Sequence, residues 1–157
     1  YPFHRGITEA GFGENAVIKG AIGVGTLLLD SIGDTLRISI TGDPVAEVVA
    51  AKQILSAIGL RDSGVEVVGG PTCGRTTGDL LSIAKYVQDE LADCKKPLKV
   101  AVMGCVVNGP GEARDADVGI AFAPKGAVVF AGGEKIFSGE REEAIRVLIE
   151  TAMSLSK

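Results

Sequence analysis

The 157-residue sequence has no Trp, only five Phe and two Tyr, and a single His. So few rings leave no stacking platform for bases, and a formal charge of −4 offers no basic face for phosphates, which excludes a nucleic-acid binder. No uncharged run approaches the roughly eighteen residues that a membrane span needs. Also missing is a charged start followed by an apolar stretch and a small-residue cleavage site, so nothing marks secretion. Three cysteines, Cys73, Cys94 and Cys105, are an odd number at wide spacing and make no disulfide scaffold. What remains is a globular balance, 46% hydrophobic and 23% charged, with 22 glycines, about twice the usual share. The length suffices to bury about two-thirds of the surface of the unfolded chain. The sequence opens at Tyr1 in structured-looking residues and is read as a piece of a longer chain.

Apolar runs alternate with helix-period stretches, the pattern of a mostly parallel α/β fold. Residues 1–11 (YPFHRGITEAG) read as a strand closing on a polar, glycine-bounded loop, with a helix over 14–29. Residues 35–40 (TLRISI) alternate as a strand does; Asp43 then caps and Pro44 opens a helix to about 58. Gly23-Val24-Gly25 resembles a nucleotide loop but falls inside a helical run, so it predicts close helix packing. Apolar periodicity lapses at 59–64, which sets a domain boundary near residue 60 and divides 1–60 from 61–157. Beyond it the pattern predicts a strand at 65–68, a helix at 77–93 and a buried strand at 98–107. A dense turn over 108–112, strands at 118–122 and 127–130 and an amphipathic helix at 140–155 complete it.

The strongest chemical signal is a pair of loops. In GPTCGR (70–75) and MGCVVNGPGE (103–112) a cysteine sits where a strand gives way to a Gly/Pro turn. Such turns leave the side chain free and let backbone N–H groups approach sulfur, as thiolate-ligated groups require. A lone cysteine is by default a small buried hydrophobe. Two Gly/Pro loops, with Glu112 seven residues after Cys105, turn the reading toward a converging donor set. Cys94 has no such context and reads as a helix-end cysteine.

Four stretches, YPFHRGITEAG (1–11), GDTLRISITGDP (33–44), PTCGRT (71–76) and VMGCVVNGPGEARDADVGIA (102–121), resemble the C-terminal part of the 4-hydroxy-3-methylbut-2-en-1-yl diphosphate synthase family. The resemblance covers nearly the whole chain. It implies the last part of a TIM barrel (1–60) followed by a small α/β iron-sulfur domain (61–157), similar to the cluster domains of sulfite and nitrite reductases. It further implies reductive ring opening and dehydroxylation of 2-C-methyl-D-erythritol 2,4-cyclodiphosphate in isoprenoid biosynthesis. Electrons would come from flavodoxin or ferredoxin, in a homodimer of the bacterial cytoplasm or the plastid stroma. A 4Fe-4S cluster is implied, held by three cysteines and one glutamate. Cys73, Cys105 and Glu112 match three of these positions, and Gly70 stands where the fourth ligand, a cysteine, is expected.

The resemblance also gives Glu9 the role of active-site acid and His4 a place near substrate. Ser39 becomes a phosphate contact. Arg37 shares the face of Ser39 and is left between substrate and an ion pair with Asp34 or Asp43. Asn108 is left between substrate contact and shaping the Asn-Gly turn, and Arg75 between steering diphosphate and pairing with Asp79. Two other readings stand beside the enzyme: a cluster-free, inactive α/β interaction module, favoured by Gly70, and a thiol or zinc site at Cys73 and Cys105.

Overall fold

The computed structural model describes residues 1–157 except Ser63, Val106, Asn108 and Lys157. The chain divides into two compact units, Tyr1–Ser63 and Gly64–Lys157.

In the first unit β1 (His4–Gly6) runs parallel to β2 (Thr35–Arg37), joined by α1 (Gly13–Leu29), and α2 (Pro44–Ala57) follows. The Asp43 carboxylate accepts from the Val45 N–H and Pro44 opens the helix, as the sequence predicts. Leu36 and Ile38 leave the pair on the helix side, where Ile38 is buried with Val24, Ala50 and Ile54. The glycines of α1 do bring it close: a Cβ on Gly23 would stand 2.7 Å from Ile7 Cγ1. Arg5, which alternation sends to this same apolar side, is buried; its Nη2 donates to Gly33 O at 2.7 Å, while Nε and Nη1 have no hydrogen-bond partner among the described residues.

The second unit is one five-stranded sheet in the order β3 (Val65–Gly69), β4 (Leu98–Met103), β5 (Val118–Ala123), β6 (Gly126–Ala131), β7 (Glu134–Gly139). The first three strands are parallel and the last two complete an antiparallel meander. Helix α3 (Leu80–Glu90) links β3 to β4, α4 (Gly109–Arg114) links β4 to β5, and α5 (Arg141–Leu155) ends the unit. β5 is apolar throughout, and β4 is apolar apart from the exposed Lys99 near its start, because helices cover both of their faces. Val100, Val102, Val118, Ile120 and Phe122 pack with Leu80, Val87 and Leu148 under α3 and α5. The opposite face carries smaller groups, Ala101, Met103 and Ala121, which meet Ala113 and Ala116.

That small-residue face explains α4, which the sequence reading had as a turn. A Cβ on Gly119 would lie 2.6 Å from Ala113 Cα, and one on Gly109 would lie 3.0 Å from Met103 Cβ. Glycine at both positions lets a short helix lie flat on β4 and β5. Arg114 then caps the Phe130 ring at 5.3 Å. Two further differences stand out. The strand expected over 98–107 ends at Met103, and β7, whose side chains are mostly exposed, carries no apolar alternation by which to be read. Among the described residues no helix is long and apolar enough to cross a membrane.

Candidate functional site

Because β3, β4 and β5 are parallel, the loops that leave β3 and β4 emerge at one end of the sheet. There Cys73, Cys105 and Glu112 line a single recess of about 90 Å³, together with Gly70, Arg75 and Met103. The two cysteine loops are joined directly. Thr77 donates to Gly104 O from its backbone N–H at 2.8 Å and from its hydroxyl at 3.3 Å. Gly104 permits this approach, since a Cβ there would stand 2.6 Å from Thr76 Cγ2. The first loop is folded on itself: the Cys73 N–H donates to Pro71 O at 2.8 Å and the Thr76 N–H to Cys73 O at 2.9 Å.

Cys73 is exposed and Cys105 half-buried, and neither is in a disulfide. The backbone N–H of Arg75, then its guanidinium, donate to the Cys73 sulfur and hold its thiol below the usual cysteine range, against a smaller opposing effect of burial. The thiolate is the form that binds metal, so Arg75 favours the donor state. Arg75 therefore faces Cys73, while Asp79 caps α3 through the Ser82 N–H at 3.1 Å. Glu112 is exposed on α4, in its first turn. Cys94 lies apart from the recess; it packs against the main core and accepts from the Ser156 hydroxyl at 3.4 Å. Asn108 lies outside the described residues.

The remaining candidates belong to the first unit. Ser39 lines a recess of about 160 Å³ past the ends of β1 and β2, with Thr8, Gly11, Thr41 and Glu47. The Glu47 carboxylate accepts from the Ile40 N–H at 3.0 Å and the Thr41 N–H donates to Gly11 O at 2.9 Å, so the two strand ends are tied. Arg37 donates to Thr8 Oγ1 at 3.1 Å. Its candidate partners are engaged elsewhere, Asp34 with the Phe3 N–H and Asp43 with the Val45 N–H. His4 Nδ1 lies 2.8 Å from Thr35 Oγ1, a hydrogen bond on the same side of the pair as Arg37. Glu9 is exposed between Thr8 and Ala10 and is not among the residues lining the recess. Thr8, Thr35, Glu47 and Met103 were not singled out from sequence. Thr8 is adjacent to Glu9 in its motif, and Glu47 in the first turn after a capped Pro was the signal available for the other acid.

The comparisons agree across both units. Residues 1–52 match the GcpE TIM-barrel domain and residues 66–154 the GcpE protein C-terminal domain. The 4-hydroxy-3-methylbut-2-en-1-yl diphosphate synthase (flavodoxin) of Clostridium perfringens is 53% identical over 150 residues, covering 96% of this chain and 43% of that protein. The protein of the same name from Caldanaerobacter subterraneus subsp. tengcongensis is 57% identical over 143 residues, 91% of this chain and 40% of that protein. That of Thermotoga petrophila is 55% identical over 134 residues, 85% and 39% of the two chains. The chain thus spans about two-fifths of the length of the curated relatives it matches.

Proposed function

The chain belongs to the 4-hydroxy-3-methylbut-2-en-1-yl diphosphate synthase family, and from that premise we propose that it supplies the C-terminal part of such an enzyme. The reaction is the two-electron reductive ring opening of 2-C-methyl-D-erythritol 2,4-cyclodiphosphate to 4-hydroxy-3-methylbut-2-enyl diphosphate. Two protons are taken up and one oxygen leaves as water. Flavodoxin, named in the relatives, is the electron donor we assign, with ferredoxin as the alternative. The assembly is a homodimer in the cytoplasm.

The observation that carries this reading is the single recess that two cysteines and a glutamate line at the ends of parallel strands. Gly64–Lys157 is read as the iron-sulfur domain, of the kind found in sulfite and nitrite reductases. A cluster there would supply electrons one at a time to a bound oxygen substituent. The residues present do not fit a 4Fe-4S cluster held wholly by protein. Cys73, Cys105 and Glu112 provide three donors, Gly70 provides none, and Met103 offers only a weak thioether. Among the described residues the three donors are also not gathered into a ready metal-holding group.

Other steps fall to the first unit. Glu9, exposed on its loop, donates a proton as the hydroxyl departs. Ser39, in the recess past the strand ends, contacts phosphate, and His4 and Arg37 order the strand face that the substrate meets. The 157 residues by themselves turn over little substrate, since about three-fifths of the relatives' length is not among them.

A chimaera tests the reading: these residues, with Gly70→Cys, replace the matching stretch of the Clostridium perfringens relative. Product formation with reduced flavodoxin is expected, and Glu9→Gln should lower it by about a hundredfold or more. A folded chimaera that forms no product would overturn the proposal.

A further inference from the structure

Helices α3 and α5 cover the same face of the sheet and share one core, in which Val87 and Leu148 are wholly buried. Their outer surfaces leave a groove of about 620 Å³ between them, which shares no lining residue with the recess of Cys73 and Cys105. The floor of the groove is apolar. Ile145, Ile149 and Met153 recur along α5 at the spacing of one helix face, and Tyr86 lines the groove from α3. Tyr86 is 51% exposed and Met153 36%, so this apolar surface is left in water. The rim is charged, with Glu142 and Glu150 on α5 and Glu90 on α3 against the single Arg146. From Glu142 to Met153 the groove follows α5 for about 16 Å, or about three turns.

We propose that this groove docks a basic amphipathic helix of a partner protein. An apolar floor between two helices takes the apolar stripe of a third, whose axis then lies about 8–10 Å from each. The rim decides the sign of the partner. Three carboxylates against one guanidinium leave the groove net negative, and Glu142 and Glu150, on one helix, stand about 12 Å apart. Lysines or arginines at the same separation on the incoming helix meet both carboxylates, and the charge thereby selects a cationic partner. The same sign disfavours other occupants. A second copy docking groove to groove brings its own glutamates against these, and the phosphates of a nucleic acid or an anionic lipid surface are repelled.

The test uses the whole chain and, as probe, a fluorescein-labelled synthetic helix of about four turns, with leucine along one face and lysine on both flanks. A counterpart carries glutamate for each lysine. Fluorescence anisotropy is expected to show binding of the lysine peptide and not of the glutamate peptide. Glu142→Lys combined with Glu150→Lys, shown to be folded by circular dichroism, should weaken the lysine peptide about tenfold or more and admit the glutamate peptide. Tyr86→Ala should weaken it about fivefold. Glu66→Lys with Glu134→Lys makes the same charge change at exposed positions on β3 and β7, and should leave binding within about twofold. In the unchanged chain, amide chemical shifts should move along α3 and α5 when the lysine peptide is added. Equal binding of the two peptides, an equal loss in the β3 and β7 control, or shifts confined to other elements would overturn the proposal. A dimer of the chain that the peptide dissociates would assign the groove to a second copy and overturn it as well.

Discussion

In Gly64–Lys157 large side chains such as Phe122, Ile120 and Leu148 are wholly buried between a five-stranded sheet and two helices, whereas the buried apolar residues of Tyr1–Ser63 are Ala10, Ala16, Val24, Ile38, Ala50 and Ile54. The first unit also leaves Ile18, Ile22 and Leu29 of α1 and Val45, Val48 and Val49 of α2 in water. A closed βα barrel packs such faces against neighbouring βα units. The difference teaches that the two halves of one sequence stand on unequal footing: the cysteine-bearing unit carries its own core, while the barrel unit exposes surface of a kind that barrels bury.

Native-state hydrogen exchange on the intact chain should make the contrast visible. Amides of β4 and β5 are expected to open only with the whole unit, and those of β1 and β2 at a free energy lower by about 3 kcal/mol or more. Equal opening energies would break the comparison. Gly119→Ala attacks the stronger unit where it is tightest, because the new Cβ meets Ala113. It should cost about 1–3 kcal/mol in urea melts and displace α4, and with it Glu112. Arg5→Leu works in the opposite direction on the weaker unit. It removes a buried guanidinium with two nitrogens that have no partner among the described residues, and should raise the local opening energy of β1 by about 1 kcal/mol.

The smallest effect is a pH dependence at the start of α3. The Ser82 hydroxyl, and then its N–H, hold the Asp79 carboxyl below the usual carboxylate range. A depressed carboxylate contributes its stability above its unfolded pKa and loses it as pH falls through the folded value. The chain should therefore lose this cap in the acid range. Asp79→Ala should lower stability at neutral pH and flatten the dependence in urea melts across that range.

How far the sequence reached depended on the range of the determining contacts. The unit β2–loop–α2 was legible because Asp43 and Pro44 act within a few residues, and the close packing of α1 because Gly23 stands in an apolar helical run. Helix α4 was not, since Gly109-Pro110-Gly111 is turn chemistry and the helix is imposed by the small residues of β4 and β5. At the site, the Gly/Pro loops pointed to Cys73 and Cys105 before their geometry was known. The Thr77 to Gly104 bonds that join those loops span 27 residues and leave no local trace. Arg75 illustrates the same limit. Its neighbour in sequence order suggested Asp79, but its donors turn to Cys73.

The central proposal is that Cys73, Cys105 and Glu112, which line one recess beyond β3 and β4, are iron donors. Iron and acid-labile sulfide, counted after anaerobic reconstitution of the intact chain and of its Cys73→Ser, Cys105→Ser and Cys94→Ser variants, test it most directly. The account predicts that the iron taken up by the unchanged chain is kept in the Cys94→Ser protein and sharply reduced in the other two. No iron in the unchanged chain, or equal iron in all four, would contradict it.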